Sequence, residues 1–467
     1  VRTRKTPKWK IAIIVMESFI ILMYLIVTVF YAWYKTDKLG MIATLSKSSF
    51  VKNILSNTQY AKDYEKNVQN QDFDENSISV NEGLTGNVET YRNIALFGID
   101  SRGSEFDEQT HSDTIIVVSI NNKTGEVKMA SVYRDTMLKI VDSDGDVSYT
   151  KANAAFYKGG PECAINMLNT NLDLNIQDYV VVNFTGLIRI IDALGGIDVN
   201  ITQEEMTLIN GYMTETRLIT GLDSPNLTSA GNVHLTGLQA TAFCRIRYVA
   251  FTDEDGTVYN NDFGRTARQR FVIRQLVSKA KAAGATQVME IVNTVLNYNT
   301  ADEKVISTSL SLTEIMDLIP TMIGFEITGS EGFPYTVSTP TINGASMVVA
   351  QGLSYNVSRL HKFLFNETSY TPSDTVETIS DYLISYTGIP TVKLEEDQYE
   401  EQFGDVSENS TDSDDTSSYD ADSDSSYSVN DDSDSNDSGS TGYSTYGTSN
   451  SANNSYSDDD YSAASGY

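Results

Sequence analysis

Charged side chains of both signs recur through the middle of this 467-residue chain, and their spacing suits chemistry at a phosphate. An apolar run, Asn93–Asp100, ends on Gly98, Ile99 and Asp100, with Arg102 two residues further on. A second run, Asp113–Ile120, begins on an aspartate, and a third, Glu126–Val132, leads into Tyr133, Arg134 and Asp135. Later, Ala242–Val249 carries Arg245 and Arg247, and the stretch from Asp262 to Arg270 presents Asp262, Arg265, Arg268 and Gln269. A guanidinium offers planar, paired donors that match phosphate oxygens, so an arginine cluster suits a pyrophosphate. Two carboxylates, Asp100 and Asp113, would repel that ligand unless a divalent cation sat between them. Mg²⁺, or the similar Mn²⁺, is commonly held by one or two carboxylates together with substrate phosphates. The set is coherent for metal-assisted transfer at phosphorus, where positioning and charge neutralisation do most of the catalysis. The competing explanation is a salt-bridge network that only holds the fold, with charges that merely end strands and face water.

Position decides between these, and position depends on the elements. The three apolar runs are short, β-branched and bounded by turn residues, so they read as strands. If the second runs opposite to the first and third, Asp100, Arg102, Asp113, Arg134 and Asp135 gather at one end of a sheet. Tyr179–Phe184 reads as a strand, Gly186–Leu194 as a helix stopped by Gly195 and Gly196, and Ile197–Ile201 as a further strand. Strands alternating with helices argue for an α/β sandwich. Ala242–Val249 also reads as a strand, which would put Arg245 and Arg247 on one face. From Asp262 a helix should run to about Ala283. Arg265, Gln269, Val272 and Leu276 share one stripe of it, so Arg265 and Gln269 point inward at the sheet, with Arg268 beside them. A buried arginine needs an anion.

The ends of the chain are of another kind. Arg2, Arg4, Lys5, Lys8 and Lys10 precede an apolar run from Ile11 to about Trp33, broken only by Glu17. That run can span a ~30 Å hydrocarbon core as a helix. The cations before it favour a cytoplasmic N-terminus, and Tyr31, Trp33 and Tyr34 suit the far interface. A cleaved signal peptide would have a shorter apolar core ending in small residues. The net charge is −30, but twenty acidic residues lie beyond Lys393, the last basic residue. The remainder is only mildly acidic and a poor partner for nucleic acid, whose affinity rests on many cations. The expected order is a basic tip (1–10), a transmembrane helix (11–34), an extracytoplasmic stalk (35–90), a catalytic domain (91–370), an extension (371–394) and an acidic Ser/Asp/Tyr-rich tail (395–467). The tail buries too little apolar surface to fold.

Several segments, in order, carry a family resemblance. LFGIDSR (Leu96–Arg102), HSDT (His111–Thr114), SVYRDT (Ser131–Thr136), KAN (Lys151–Asn153) with Gly159–Gly160, ALGGIDV (Ala193–Val199), LTGLQATAFCRIR (Leu235–Arg247) and DFGRTARQR (Asp262–Arg270) resemble the LytR-CpsA-Psr family. The resemblance implies an extracytoplasmic, membrane-anchored transferase. Such an enzyme moves a glycopolymer (teichoic acid, capsule or another wall glycan) from a polyprenyl-pyrophosphate carrier to peptidoglycan in a Gram-positive-type envelope. The implied fold is a three-layer α/β/α sandwich with a mixed central sheet. By motif, Asp100 and Asp113 would hold Mg²⁺. Arg102, Arg134, Arg245, Arg247, Arg265 and Gln269 would bind the pyrophosphate, and Asp262 would orient that cluster. Asp100, Arg134 and Asp262 are the residues expected to carry catalysis. The family also implies an apolar tunnel for the prenyl chain, which no particular residues here mark out.

Two positions depart from the family pattern. His111 stands where arginine is usual, which keeps a donor but loses the bidentate fork. Tyr133 stands where proline is usual. Two alternatives to transfer share the same site: a pyrophosphatase acting on lipid-linked diphosphates, and a non-catalytic lipid-binding protein of wall assembly. Lesser signals point to structure. Asp142–Asp146 lacks the later glutamate of a calcium loop and reads as a hairpin turn. His234 and His361 are isolated, and Cys244 reads as a core residue. Cys163 and Cys244 are too few for a disulfide framework.

Overall fold

The computed structural model describes residues 59–84, 88–100, 110–254, 256–299, 304–315, 317–318 and 326–393. The basic tip, the expected transmembrane helix, Arg102 and the acidic tail lie outside them. Among the described residues no helix is long and apolar enough to cross a membrane.

The centre is a six-stranded mixed sheet in the order β11-β6-β1-β2-β3-β12. Strands β1 (Tyr91–Ile99), β2 (Ser112–Asn121) and β3 (Glu126–Val132) are consecutive antiparallel neighbours. A parallel partner flanks each side, β6 (Asp178–Asn183) beside β1 and β12 (Glu326–Phe333) beside β3. The short β11 (Ile306–Thr308) closes the edge against β6. Strand two does run opposite to one and three, so the sheet end predicted to collect charge exists.

Unbroken apolar runs such as Ile115-Ile-Val-Val118 arise because both sheet faces are covered. Ala95, Phe97, Ile115, Val117, Ala130 and Val132 point into one core with residues of helices α2 (Ala154–Leu172) and α7 (Leu353–Phe365). Their neighbours Ile94, Leu96, Val118, Ile120 and Val127 line the opposite face. Helix α2 is interrupted at Gly159–Gly160, just ahead of Pro161. Hairpin β4 (Met137–Val141) and β5 (Val147–Lys151) leads from the end of β3 into α2. Its turn is the Asp142–Asp146 segment, closed by the Gly145 N–H on Asp142 O and the Asp146 N–H on the Asp142 carboxylate, and it is a turn as expected.

A second apolar cluster joins helices α3 (Phe184–Ala193), α4 (Gln203–Thr220) and α5 (Gly237–Phe243) to the antiparallel pair β7 (Ile197–Ile201) and β8 (Gly231–Leu235), between which α4 is inserted. The small pair β9 (Phe251–Thr252) and β10 (Val258–Tyr259) precedes α6 (Asn261–Asn297), which packs against β3 and β12. Three expectations need correction. Ala242–Val249 is not a strand. It finishes α5 and then turns, with Arg245 N–H on Ala242 O and Ile246 N–H on Phe243 O. The Thr236/Gln239 capping box commits the segment to a helix from Gly237 onward, and that outweighs the strand-like look of Ile246 and Val249. The helix from Asp262 continues past Ala283 to Asn297. Where it is described, the expected stalk is docked on the domain: α1 (Gln59–Asn67) buries Ala61 and Tyr64, and the Tyr64 hydroxyl donates to Leu310 O at 2.7 Å.

Candidate active site

The site forms at the edge of the sheet where β1 and β3 end and β2 begins, beside the first turn of α6. A β-bulge builds its first part. Gly98 pairs with Thr114 and Ile99 with Ser112, so Asp113 has no opposite residue on β1. Such an extra residue re-aims its side chain out of the regular alternation. Gly98 allows the close approach, since a Cβ there would lie 2.9 Å from Thr114 Cβ. Asp113 meets Arg134, whose Nη1 donates to its Oδ1 at 2.8 Å.

Asp262 is the hub. It sits in the first turn of α6, and one carboxylate faces three guanidiniums: Arg265 Nε at 3.1 Å, Arg247 Nε at 3.8 Å and Arg134 Nε at 3.9 Å. Arg265 is buried and its Nη2 also donates to the Asp113 carbonyl at 3.3 Å, which ties the helix to the bulge. Arg134 reaches Asp135 at 3.4 Å, and Asp135 in turn holds Lys151 at 3.0 Å.

The charges tune one another. Burial pushes the Asp113 carboxyl up, but Arg265 and Arg134 pull it down further, and it settles below the usual carboxylate range. Burial works against the charge on Arg134, yet Asp113, Asp262 and Asp135 raise its pKa well above the ordinary value. For Arg265 burial wins over Asp262 and Asp113, and the pKa falls. An added anion beside that guanidinium would offset the cost of burying its charge.

Of the residues singled out from sequence, Asp113, Arg134, Arg247, Asp262 and Arg265 converge. Asp100 follows Ile99 directly, and Ile99 pairs with Ser112, so Asp100 lies at the same strand end as Asp113. Gln269 is one helical turn beyond Arg265 and half-buried. Arg245 goes elsewhere. The turn after α5 sends it to α4, where it donates to Glu215 at 2.7 Å and to Thr216 at 3.1 Å, over the rings of Phe184 and Tyr212. Arg268 is structural: fully buried, it donates to Glu205 at 2.6 Å and to the carbonyls of Val249 and Ala250.

The two departures have distinct surroundings. His111 is exposed, its ring stacked on Tyr157 at 5.0 Å between centroids. Partial desolvation there, with Arg134 and Lys151 nearby, outweighs Asp113 and lowers its pKa, so at neutral pH it offers an uncharged ring. Tyr133 is buried edge-on against Phe263 at 4.5 Å, and its N–H donates to Phe333 O at 3.0 Å. It thereby clamps the residue after Asp262 beside the one before Arg134. This supporting pair was invisible in sequence, because no periodicity links positions 133 and 263. Lys151 and Asp135 were also missed as partners; the hairpin that returns β5 to the end of β3 joins them.

Cys163 and Cys244 are not bonded to each other, and both are buried. Burial pushes the Cys244 thiol up to about 12, which fits a packing role. His234 pairs with Asp198 at 2.8 Å, and His361 stacks on Tyr370 inside the core. Neither approaches the site residues named above in any hydrogen bond or ion pair described.

The sequence model of the LytR_cpsA_psr family matches residues 49–362, more than half of the chain, and the chain belongs to that family. Among curated relatives, the polyisoprenyl-teichoic acid–peptidoglycan teichoic acid transferase TagU of Bacillus cereus is 31% identical over 226 residues, 48% of this chain and 62% of that protein. Biofilm regulatory protein A of Streptococcus mutans is 31% identical over 237 residues, 50% of this chain and 52% of that protein. The chain thus spans less than two thirds of the length of either relative. The solved structure of protein gbs0355 from Streptococcus agalactiae superposes with a TM-score of 0.50 at 26% identity, covering 65% of this chain and 97% of that one. The fold is accordingly α/β with a mixed central sheet, as the alternation of strands and helices predicted.

Proposed function

We propose that this protein is an extracytoplasmic phosphotransferase that attaches a glycopolymer, carried on polyprenyl pyrophosphate, to peptidoglycan. The observation that carries the reading is the three-to-one arrangement of Arg134, Arg247 and Arg265 around Asp262. A guanidinium has five N–H donors, so most of their capacity remains for phosphate oxygens. Asp262 holds the three in register rather than neutralising them. The activity in the printed name of the Bacillus cereus relative supports the same reading.

In this scheme Arg134, Arg247 and Arg265 clamp the diphosphate, with Gln269 and Arg102 as further donors, while Arg245 is engaged by Glu215 and Thr216 of α4. Asp100 and Asp113 would hold Mg²⁺, the donor set a hard cation prefers when phosphates supply the rest of its shell. The residues fit that ion because the bulge turns Asp113 out at the strand end that Asp100 also occupies. Bound there, Mg²⁺ would supply positive charge to the phosphoryl oxygens while the acceptor hydroxyl takes the glycan phosphate, the bridge of the diphosphate breaks and polyprenyl monophosphate leaves. Arg134, now paired with Asp113, would exchange that partner for a phosphate oxygen as the donor enters. An anchor helix over residues 11–34 would keep the site close to the leaflet that delivers a polyprenyl carrier, with the domain outside the cell.

The test supplies an undecaprenyl-pyrophosphate glycan with Mg²⁺, with and without peptidoglycan. Glycan joined to peptidoglycan, lost by at least about a hundredfold in Arg134→Ala and Arg265→Ala, is the expected result. Release of free phosphorylated glycan with no attachment would make the protein a pyrophosphatase. Attachment in cells that survives Asp113→Ala and Arg134→Ala but not deletion of the domain would make it a non-catalytic assembly protein.

A further inference from the structure

Tyr133 is only 2% exposed, yet it joins neither the core beneath α2 and α7 nor the second apolar cluster. Its ring lies instead where a strand would otherwise carry a side chain. A Cβ on Gly332 of β12 would stand 2.6 Å from Tyr133 Cζ, with the hydroxyl oxygen closer still. Gly332 alternates with Phe333, which enters the core, so the phenol occupies the opposite face of β12. The same ring meets Phe263 edge-on at the start of α6, and α6 packs against β3 and β12. Tyr133 is thus the piece between the edge strand and the helix.

Its backbone is held as well. The Tyr133 N–H donates to Phe333 O at 3.0 Å, and its carbonyl accepts the Thr136 N–H at 2.9 Å. The proline usual here in the family would fix φ through its ring and would have no N–H for Phe333. This chain holds the residue ahead of Arg134 by other means, a hydrogen bond to β12 and a seated side chain.

We infer that Tyr133, seated on Gly332, is a positioning residue for the proposed transfer: through it the edge strand β12 sets Arg134 against Asp262. Tyr133 precedes Arg134, and Phe263 follows Asp262, so one ring governs both members of a pair whose Nε and carboxylate stand 3.9 Å apart. The strand cannot retreat from an added side chain, because Glu331 and Phe333 on either side of Gly332 are paired to Ala130 and Val132 of β3. The backbone at Gly332 is not left-handed, so alanine there is opposed by the phenol alone. The effect on substrate rests on the transferase reading; the seat does not.

A double-mutant cycle in the full chain tests the coupling, read by titration with a prenyl pyrophosphate and Mg²⁺, by the transfer assay and by the melting midpoint. Gly332→Ala and Tyr133→Ala should each weaken diphosphate binding and lower kcat by roughly tenfold or more, and Tyr133→Phe, which keeps the ring, should restore both. Adding Gly332→Ala to Tyr133→Ala should cost nothing further, in binding or in melting midpoint, because the ring it collides with is gone. Losses that simply add would overturn the seat, as would a Gly332→Ala protein that fails to fold and is not rescued by Tyr133→Ala. A lower melting midpoint in folded variants that bind and transfer as wild type does would make Tyr133 a packing residue and overturn its positioning role. Wild-type protein that neither binds the diphosphate nor transfers glycan would remove the transferase reading instead. Crystal structures of the two single variants then decide the positioning: Arg134 displaced from Asp262 upholds it, and Arg134 left in place overturns it.

Discussion

Arg268 and Arg270 sit two residues apart on α6, both without exposed surface, and their surroundings differ. Arg268 has a carboxylate, Glu205, and two backbone carbonyls. Glu205 is committed twice, since its other oxygen accepts the Thr202 N–H in the capping box that starts α4. For Arg270 no described oxygen accepts from its three nitrogens, and the ring of Tyr259 lies 5.5 Å away. Arg270 instead acts on the Glu331 carboxyl through charge alone, with no hydrogen bond between them described, and Arg359 and Lys128 act on the same carboxyl. Removing one member of a hydrogen-bonded buried ion pair strands the other charge and costs about 3–5 kcal/mol. Arg268→Met should therefore lower the unfolding free energy in urea by that amount, and Arg270→Met should cost clearly less. Equal losses in the two would mean that Arg270 is held as tightly by its anion as Arg268 is by Glu205. Asp113 makes a second prediction at this scale. Its folded pKa is depressed, so its contribution to stability is in full above the usual carboxylate value near ~3.9 and disappears as pH falls through the lower folded value. The stability advantage of wild type over Asp113→Asn should be constant from pH 7 to 5 and shrink below about 4, read from thermal melts across that range.

At the scale of elements, the bulge between β1 and β2 decides where Asp113 points. Gly98 sits there because a Cβ would press on Thr114 at 2.9 Å. Gly98→Ala must push β2 outward at the one place where the ladder already skips a residue. It should reduce the proposed transfer by tenfold or more while costing only about 1–3 kcal/mol of stability, the usual range for an overpacked position. Full activity in Gly98→Ala would show that the bulge does not position the carboxylate. The strands themselves were readable because their residues alternate between two covered faces, and β3 and β7 fall on the residues that pattern predicts. The inward stripe of α6 was readable for the same reason: Arg265 and Val272 are both buried. What could not be read is direction after a turn. Arg245 and Arg247 share a face only in a strand; in the turn after α5 they part, one to Glu215 and one to Asp262. Nor does local sequence announce that Tyr133 meets Phe263, because that contact depends on how α6 crosses the sheet.

For the whole molecule, the segments on either side of the sheet domain meet at one buried residue. Asp173 caps α2 in the left-handed region at φ 53° and has no exposed surface. Its Oδ1 accepts from Asn81 of the N-terminal segment at 2.6 Å and from the Ser373 hydroxyl at 2.6 Å, and its Oδ2 accepts the Ser373 N–H at 2.7 Å. Ser373 is the N-cap of α8 (Asp374–Thr387). One carboxylate thus fastens residues before β1 and residues after α7 to the same helix end. Hydrogen bonds to a charged group are worth about 1.5–3 kcal/mol each, so Asp173→Ala should cost roughly 3 kcal/mol or more, including the strain of alanine at positive φ. Asp173→Gly relieves that strain but not the lost bonds and should recover only about 1 kcal/mol of it. Hydrogen exchange separates the two contributions. In Asp173→Gly, amides of residues 59–84 and of α8 should lose protection together while β1, β2 and β3 keep theirs. Protection lost across the sheet as well would mean that the carboxylate supports the core itself, and recovery to wild type in Asp173→Gly would mean that it fastens nothing.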